Sequence, residues 1–307
     1  MFLSNHSSTR SIRFVRWAAI IGLLLTSLLL NACSMVRLGY NNAPSLTYWW
    51  LDNYVDFDAR QSTRIRSDLQ SIHAWHRREE LPLLAQVLRR LQSMAHATVT
   101  PEQICSVVED VQTRSHNTLE RLLPTMAAVA PTLQPAQLQH IAHEFEKRNT
   151  SWREDWLDGT VTERNERRIR QIVDRAESFY GTLQPQQLAL IHSYVTNSGF
   201  DAQRQFRETQ RRQQDTLQVL QDIRAAKPGS SQAMFEIRAL LERSLRPPDP
   251  NYRRYRDQLT SQGCGAMAQL HNSATPGQRD KFLRALQDYE ADVLALASQS
   301  LPTRFPE

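Results

Sequence analysis

"LQPQQLALIHSYV" occupies residues 183–195, and its first five residues decide how the whole chain is read. Proline has no backbone N–H, so it is tolerated at the first position of a helix, where that group would have no partner anyway. Glutamine two residues later stands where its side chain can reach back to the backbone that precedes the helix. The same arrangement recurs at Thr100-Pro101-Glu102-Gln103, Gln134-Pro135-Ala136-Gln137 and Thr275-Pro276-Gly277-Gln278, and the two copies that begin with threonine complete a capping box. Each is a helix start. Behind them the apolar residues fall on one helical face: Leu138, Ile141, Phe145, Trp152 and Trp156; Leu188, Ile191 and Val195; Phe282, Leu286, Tyr289 and Val293.

Helix ends are equally legible. Gly159 and Gly181 lie where C-terminal caps belong, and Thr160 with Glu163 makes a further capping box between them. Asn197-Ser198-Gly199, Lys227-Pro228-Gly229-Ser230 and Arg246-Pro247-Pro248-Asp249-Pro250 read as breaks. Glycine is scarce, helix formers abound, and nothing alternates at period two. The prediction is an all-α, multi-helix antiparallel bundle of roughly eight to ten helices with short connections. The four proline starts are 34, 50 and 91 residues apart, too irregular for a solenoid of one period. Residues 47–300 form the helical domain, either as one core or as two lobes parted at 246–250, and 301–307 is a tail.

The first residues are of another kind. Arg10, Arg13 and Arg16, with no acid among them, precede the apolar run WAAIIGLLLTSLLL at 17–30. At fourteen residues that run is shorter than the roughly 18 to 20 of a spanning helix, so it reads as a signal segment, residues 1–32. It ends in Leu30-Asn31-Ala32-Cys33, which resembles the lipobox of bacterial lipoproteins. In that family the cysteine sulfur is acylated and the chain is cut before it, which implies a lipidated Cys33 followed by a tether over 33–46. The alternative is a free cysteine in an N-terminal anchor helix. Ser34 in the next position implies, by the same resemblance, the periplasmic face of the outer membrane of a Gram-negative bacterium. Residues 34–46 carry turn residues without periodicity and reach at most about 45 Å if extended.

Loss of the signal removes three arginines and no acid, so the net charge falls from +5 to +2. Basic charge is then weak support for any partner, and no nucleic acid is expected. Only Lys147, Lys227 and Lys281 are lysines. Arginine carries the rest, and its fork suits carboxylate or phosphate. In "ERNERRIRQIVDR" (163–175) the acids alternate with it at helical spacing, so pairing along a solvated face is expected. Cys105 and Cys264 are the cysteines left in an oxidising compartment, and we expect them to pair; the alternative is two separate buried thiols.

Two resemblances bear on function. The LQPxQL and TPEQI starts resemble the L-T-x-x-Q repeats of periplasmic stress proteins typified by Spy and CpxP, which implies a chaperone-like role. Over nearly the whole chain, the order of lipobox, "YNNAPSLTYWWLDNYVDFDARQ" (40–61), "HAWHRREELP" (73–82), "VTPEQI" (99–104), "LQPAQL" (133–138) and "FEKRNTSWREDWLD" (145–158) is similar to a proteobacterial lipoprotein family of unknown function. That likeness implies a lipid-anchored helical fold and carries over no catalytic residue.

Chemistry has one candidate constellation. His73, His76 and Glu80 share a helical face, and nitrogen plus carboxylate ligands suit zinc or another transition metal. His140, His143 and Glu144 offer a second pair of histidines; packing and hydrogen bonding are the plain alternative for both sets. Asp52, Asp56 and Asp58 lack the glycine and glutamate of a calcium loop, and ion pairs with Arg60 and Arg64 are expected instead. No G-x-S-x-G elbow or glycine-rich phosphate loop occurs. Tyr48, Trp49 and Trp50 are expected to plug the core, with insertion into lipid headgroups as the other possibility. The functional expectation is a non-catalytic binding or chaperone-like envelope protein, without cofactor, whose partners are the membrane through Cys33 and an envelope protein or cell-wall component. The alternative is a metal-dependent envelope hydrolase using His73, His76 and Glu80.

Overall fold

The four proline-headed segments each open a helix, and the same cap chemistry explains most of the others. The computed structural model describes the backbone of residues 31–299 and the side chains of 35–299. The expected signal segment through residue 30, the sulfur of Cys33 and the 301–307 tail lie outside the described residues. Among the described residues there are eleven α-helices, one short 3-10 turn and no strand: α1 (Asn31–Asn41), α2 (Ala43–Val55), α3 (Ala59–Met94), α4 (Pro101–Val129), α5 (Pro135–Trp156), α6 (Val161–Tyr180), α7 (Pro185–Asn197), α8 (Ala202–Ala226), α9 (Ser230–Leu245), α10 (Pro250–Asn272) and α11 (Pro276–Ser298). The protein is all-α, as its caps and periodicity predict.

The stretch 34–46 departs from its reading as an aperiodic linker, because α1 covers it to Asn41 and α2 begins at Ala43. The asparagine and proline that suggest a coil act as punctuation between helices. Asn42 Nδ2 donates to the Leu38 carbonyl (2.8 Å), and Pro44 sits in the first turn of α2, where it is tolerated. α1 belongs to an N-terminal unit ending at Ala43, whereas the described residues from Pro44 onward form a second unit with one continuous set of packed helices. Within that second unit the segment 246–250 is an ordinary turn between α9 and α10. Arg253 Nη1 braces it by donating to the Pro247 and Pro248 carbonyls, 2.7 Å each.

α4 runs through the middle, against α3, α9 and α10, while α3 lies along both α4 and α11. At one end Leu123 and Ala127 of α4 meet Val219 and Ile223 of α8 and Ile237 and Leu240 of α9. At the other, Ala176 and Tyr180 of α6, Ile191 and Val195 of α7 and Leu270 of α10 pack together, with Phe282 of α11 against them. On the apolar faces behind the proline starts, Leu188 and Tyr289 are exposed. Burial of these faces, at about 25 cal/mol per Å² of apolar surface, is the main favourable term in a helical bundle.

The N-terminal glutamines do more than cap. Gln187 and Gln278, at the third positions of α7 and α11, exchange two amide hydrogen bonds of 2.9 Å. Each also accepts from the backbone N–H of its own cap residue, Gln184 or Thr275. Each then donates to the loop before the other helix, Gln187 to the Ser273 carbonyl and Gln278 to that of Thr182. Gln61 of α3 and Gln137 of α5 repeat the arrangement, with Gln137 Nε2 donating to Gln61 Oε1 at 2.8 Å and to the Asp56 carbonyl at 2.8 Å. Two pairs of helix starts are thus locked head beside head.

Several arginines close turns, while others pair with acids. Arg164 donates to the Leu157 and Gly159 carbonyls, Arg167 to those of Asp155 and Asp158, and Arg168 to the Val195 carbonyl and Ser198 Oγ. Arg279 ties the Ala274, Ala97 and Asn272 carbonyls together. In the segment 163–175 the expected pairing along the helix is limited to Arg170 with Glu166 at 3.9 Å. A planar fork can satisfy two orphan carbonyls at a helix end, which an ammonium on a flexible stem does less well. Arg243 puts the same fork on Asp215 and holds that carboxyl below its usual range, while the fork of Arg211 grips Glu208.

A candidate apolar binding chamber

A cavity of about 910 Å³ opens between α3, α4, α6, α7, α10 and α11. It exists because two of its walls are built from small residues. α10 presents Gly263, Cys264 and Ala266 to it, and α6 presents Ala176, where larger side chains would have filled the gap. The remaining lining is almost wholly hydrocarbon and aromatic, with Leu91, Val107, Ile172, Phe179, Leu190 and Leu286 among it. Met267, Tyr289, Gln171 and Arg175 are exposed lining residues and form the mouth. Ligand pockets are typically about 300–1,000 Å³ and mostly apolar, with a few polar groups to fix orientation. This one lies at the upper end of that range.

Its deepest polar atoms are already spent on one another. His271, 3% exposed, lines the chamber beside Tyr180. His271 Nε2 lies 3.2 Å from the Met94 carbonyl, which can only accept, so that nitrogen carries the proton. Nδ1 is then free to accept from the Tyr180 hydroxyl at 2.8 Å. Burial pushes the imidazole pKa down, with the Arg279 charge acting in the same direction, and burial pushes the Tyr180 phenol up. Both groups are therefore neutral at neutral pH. Phe282 stacks on Tyr180 with ring centroids 4.9 Å apart, which completes an aromatic floor.

Two helices of the wall meet at a cysteine pair. Cys105 of α4 and Cys264 of α10 lie at disulfide distance, with sulfurs 2.09 Å and Cα atoms 5.5 Å apart across 159 positions of sequence. The expectation of pairing rested on compartment and count; the helices bring the two together at the chamber.

The sequence candidates for metal chemistry fare differently. His73 and His76 are half-buried on α3, and burial lowers the His76 pKa against the pull of Glu80. Glu80 is 4% exposed and faces Arg114, at 3.6 Å, and Asn117 Nδ2, at 3.4 Å, both on α4. His140 Nε2 sits 3.0 Å from the Asn53 carbonyl. Among the described residues, no three His, Cys, Asp or Glu side chains are grouped so as to hold a metal ion. Two of the three aspartates expected to pair with Arg60 and Arg64, Asp52 and Asp58, cap backbone instead. Asp58 Oδ1 accepts from the N–H groups of Arg60 and Gln61, and Asp52 Oδ1 from that of Phe57. Arg64 turns to Asp68.

Sequence reading missed the chamber, whose lining comes from six helices and has no local motif. One signal was available, the run Gly263-Cys264-Gly265-Ala266 in α10, where small side chains leave room beside the helix. A family model described as a family of unknown function, DUF6279, matches residues 53–253. No curated protein and no solved structure matches the chain.

Proposed function

Given that the chain belongs to DUF6279, a family defined by sequence and without an assigned activity, we propose that it is a lipid-anchored binding protein of the bacterial envelope that takes a long acyl or similar apolar chain in the chamber. The observation that carries this reading is the chamber itself, about 910 Å³ of space with an apolar lining. Removing a ligand's hydrocarbon from water contributes about 0.8 kcal/mol per buried CH₂, and the neutral Tyr180–His271 pair leaves no charge in the floor to oppose it. Arg175 and Gln171 at the mouth suit the polar end of such a molecule. The outer-membrane, periplasmic location is part of this proposal and rests on the lipobox resemblance at Cys33.

Two experiments test it. The soluble fragment 34–307 is titrated with a fluorescent C16 fatty acid, and Ala266→Trp, which fills the chamber from a half-buried position, is expected to weaken binding at least tenfold without moving the unfolding midpoint. Absence of saturable binding by the wild-type fragment defeats the reading. For the anchor, Cys33→Ala is expected to lose acyl labelling and membrane retention together; retention without labelling counts against lipidation.

A further inference from the structure

We propose that Leu46, Trp49 and Trp50 form a ridge that seats α2 in the headgroup layer of a phospholipid bilayer. α2 turns two faces to two environments. Tyr48, 6% exposed, is driven into the body against Ile65 and Leu69, with Leu51 behind it and the Arg66 guanidinium 3.5 Å over its ring. The opposite face carries Leu46, Trp49 and Trp50 at 55%, 66% and 51% exposure. The expectation that all three aromatic residues plug the core therefore holds for Tyr48 and fails for both tryptophans. Positions 46, 49 and 50 are one turn apart, so their side chains stand together on the outer side of the helix.

The composition of that face favours lipid over protein. Residues 45–51, SLTYWWL, contain no charge, and the first acid, Asp52, is engaged with the Phe57 N–H. Trp50 leans on Tyr54, with centroids 4.9 Å apart, which holds its indole in place on the surface. Tryptophan has an apolar body and one N–H donor, the combination enriched where hydrocarbon meets headgroup. Among the described residues no helix is long and apolar enough to cross a membrane, so contact from this ridge is superficial. Chain length supplies the occupant. Trp49 stands sixteen residues after Cys33, a reach of at most about 55 Å even if fully extended, so an acylated Cys33 keeps the ridge close to the bilayer that holds it. That last step rests on the anchor reading above; the exposed face does not.

The test uses the unlipidated fragment 34–307 with sucrose-loaded vesicles of phosphatidylethanolamine and phosphatidylglycerol, so that it reads the ridge without the anchor. Wild-type fragment is expected to sediment with vesicles, and the double substitution Trp49→Ala/Trp50→Ala to lower that affinity at least tenfold with an unchanged far-ultraviolet spectrum and midpoint. Trp49→Phe/Trp50→Phe, which keeps the rings, is expected to restore part of it. Failure of the wild type to bind overturns the proposal, as does equal binding by the alanine variant. A wild-type dimer in sedimentation velocity that the alanine variant loses also overturns it and gives the ridge to a second copy. Intact mass of the full chain from cells reads the anchor separately, so the two ideas can fail independently.

Discussion

Truncation of Gln187 to alanine tests whether the paired helix starts hold the bundle together. The side chain is fully buried and takes part in four hydrogen bonds: two with Gln278, one from the Gln184 N–H and one to the Ser273 carbonyl. A net hydrogen bond contributes about 1 kcal/mol, and buried groups left unpaired cost about 1–3 kcal/mol each. Gln278 keeps its bonds to the Thr182 carbonyl and the Thr275 N–H, so the damage is partial, and we expect a loss of about 3–5 kcal/mol. For a chain of this size about 1 kcal/mol corresponds to roughly 2–4 °C, which places the midpoint on the order of 10 °C lower. Gln278→Ala should cost a similar amount, and the double variant less than the sum, because the two share a pair of bonds, with a coupling of about 1–2 kcal/mol. Calorimetry of the 34–307 fragment at pH 7.5 measures all three. A drop under about 3 °C for Gln187→Ala, or strict additivity of the two, refutes the reasoning.

The other predictions concern protons, sulfur and arginine. His271 and His76 both have pKa values lowered by burial, so the unfolded chain binds protons more readily than the folded one. Stability is therefore full above about pH 6.5 and falls as the pH drops below it, by up to about 1.4 kcal/mol per pH unit for each histidine; denaturant midpoints between pH 7.5 and 5 should show that slope, and a flat profile contradicts it. Reduction of Cys105–Cys264, or Cys264→Ser, releases a loop closed across 159 positions and should cost up to about 5 kcal/mol on the chain-entropy account, read as a lower midpoint under reductant. Arg168→Lys keeps the charge but not the fork that spans the Val195 carbonyl, Ser198 Oγ and, 4.3 Å away, the Phe200 ring. It should destabilise by about 1–3 kcal/mol, whereas the same exchange at exposed Arg170 should be nearly silent.

What the sequence discloses is largely what is local. Pro101, Pro135, Pro185 and Pro276 head helices because the reason they can do so lies within three residues of each. Gly181 caps α6 with a φ of 77°, and Gly159, two residues past the Leu157 cap of α5, has a φ of 85°, a region that favours glycine. The partners of Gln137 and Gln187 were invisible, since Gln61 and Gln278 lie 76 and 91 positions away and a cap explains either residue alone. Sequence spacing pairs arginine with acids, whereas the backbone carbonyls at helix ends that compete for the same fork are placed only by tertiary structure. The His73–His76–Glu80 face is helical as its spacing requires, yet spacing does not reveal that Arg114 stands opposite Glu80. Binding chambers are made of what is missing between helices, and no stretch of sequence spells an absence.

The union of α3 with α11 sets an order of events for the growing chain. Arg77 donates to the Leu296 carbonyl across 219 positions and Arg89 to Glu290 across 201, so the longest described helix takes one of its neighbours from a segment made much later. Until that segment arrives, the face of α3 that α11 covers stays open, although α4 already packs on another, and contacts of such separation form slowly. A ribosome stalled anywhere before Pro276 would release a polypeptide with an open flank and an unfinished chamber. Such fragments should be less stable than the whole chain, because the face of α3 that α11 covers stays exposed in them.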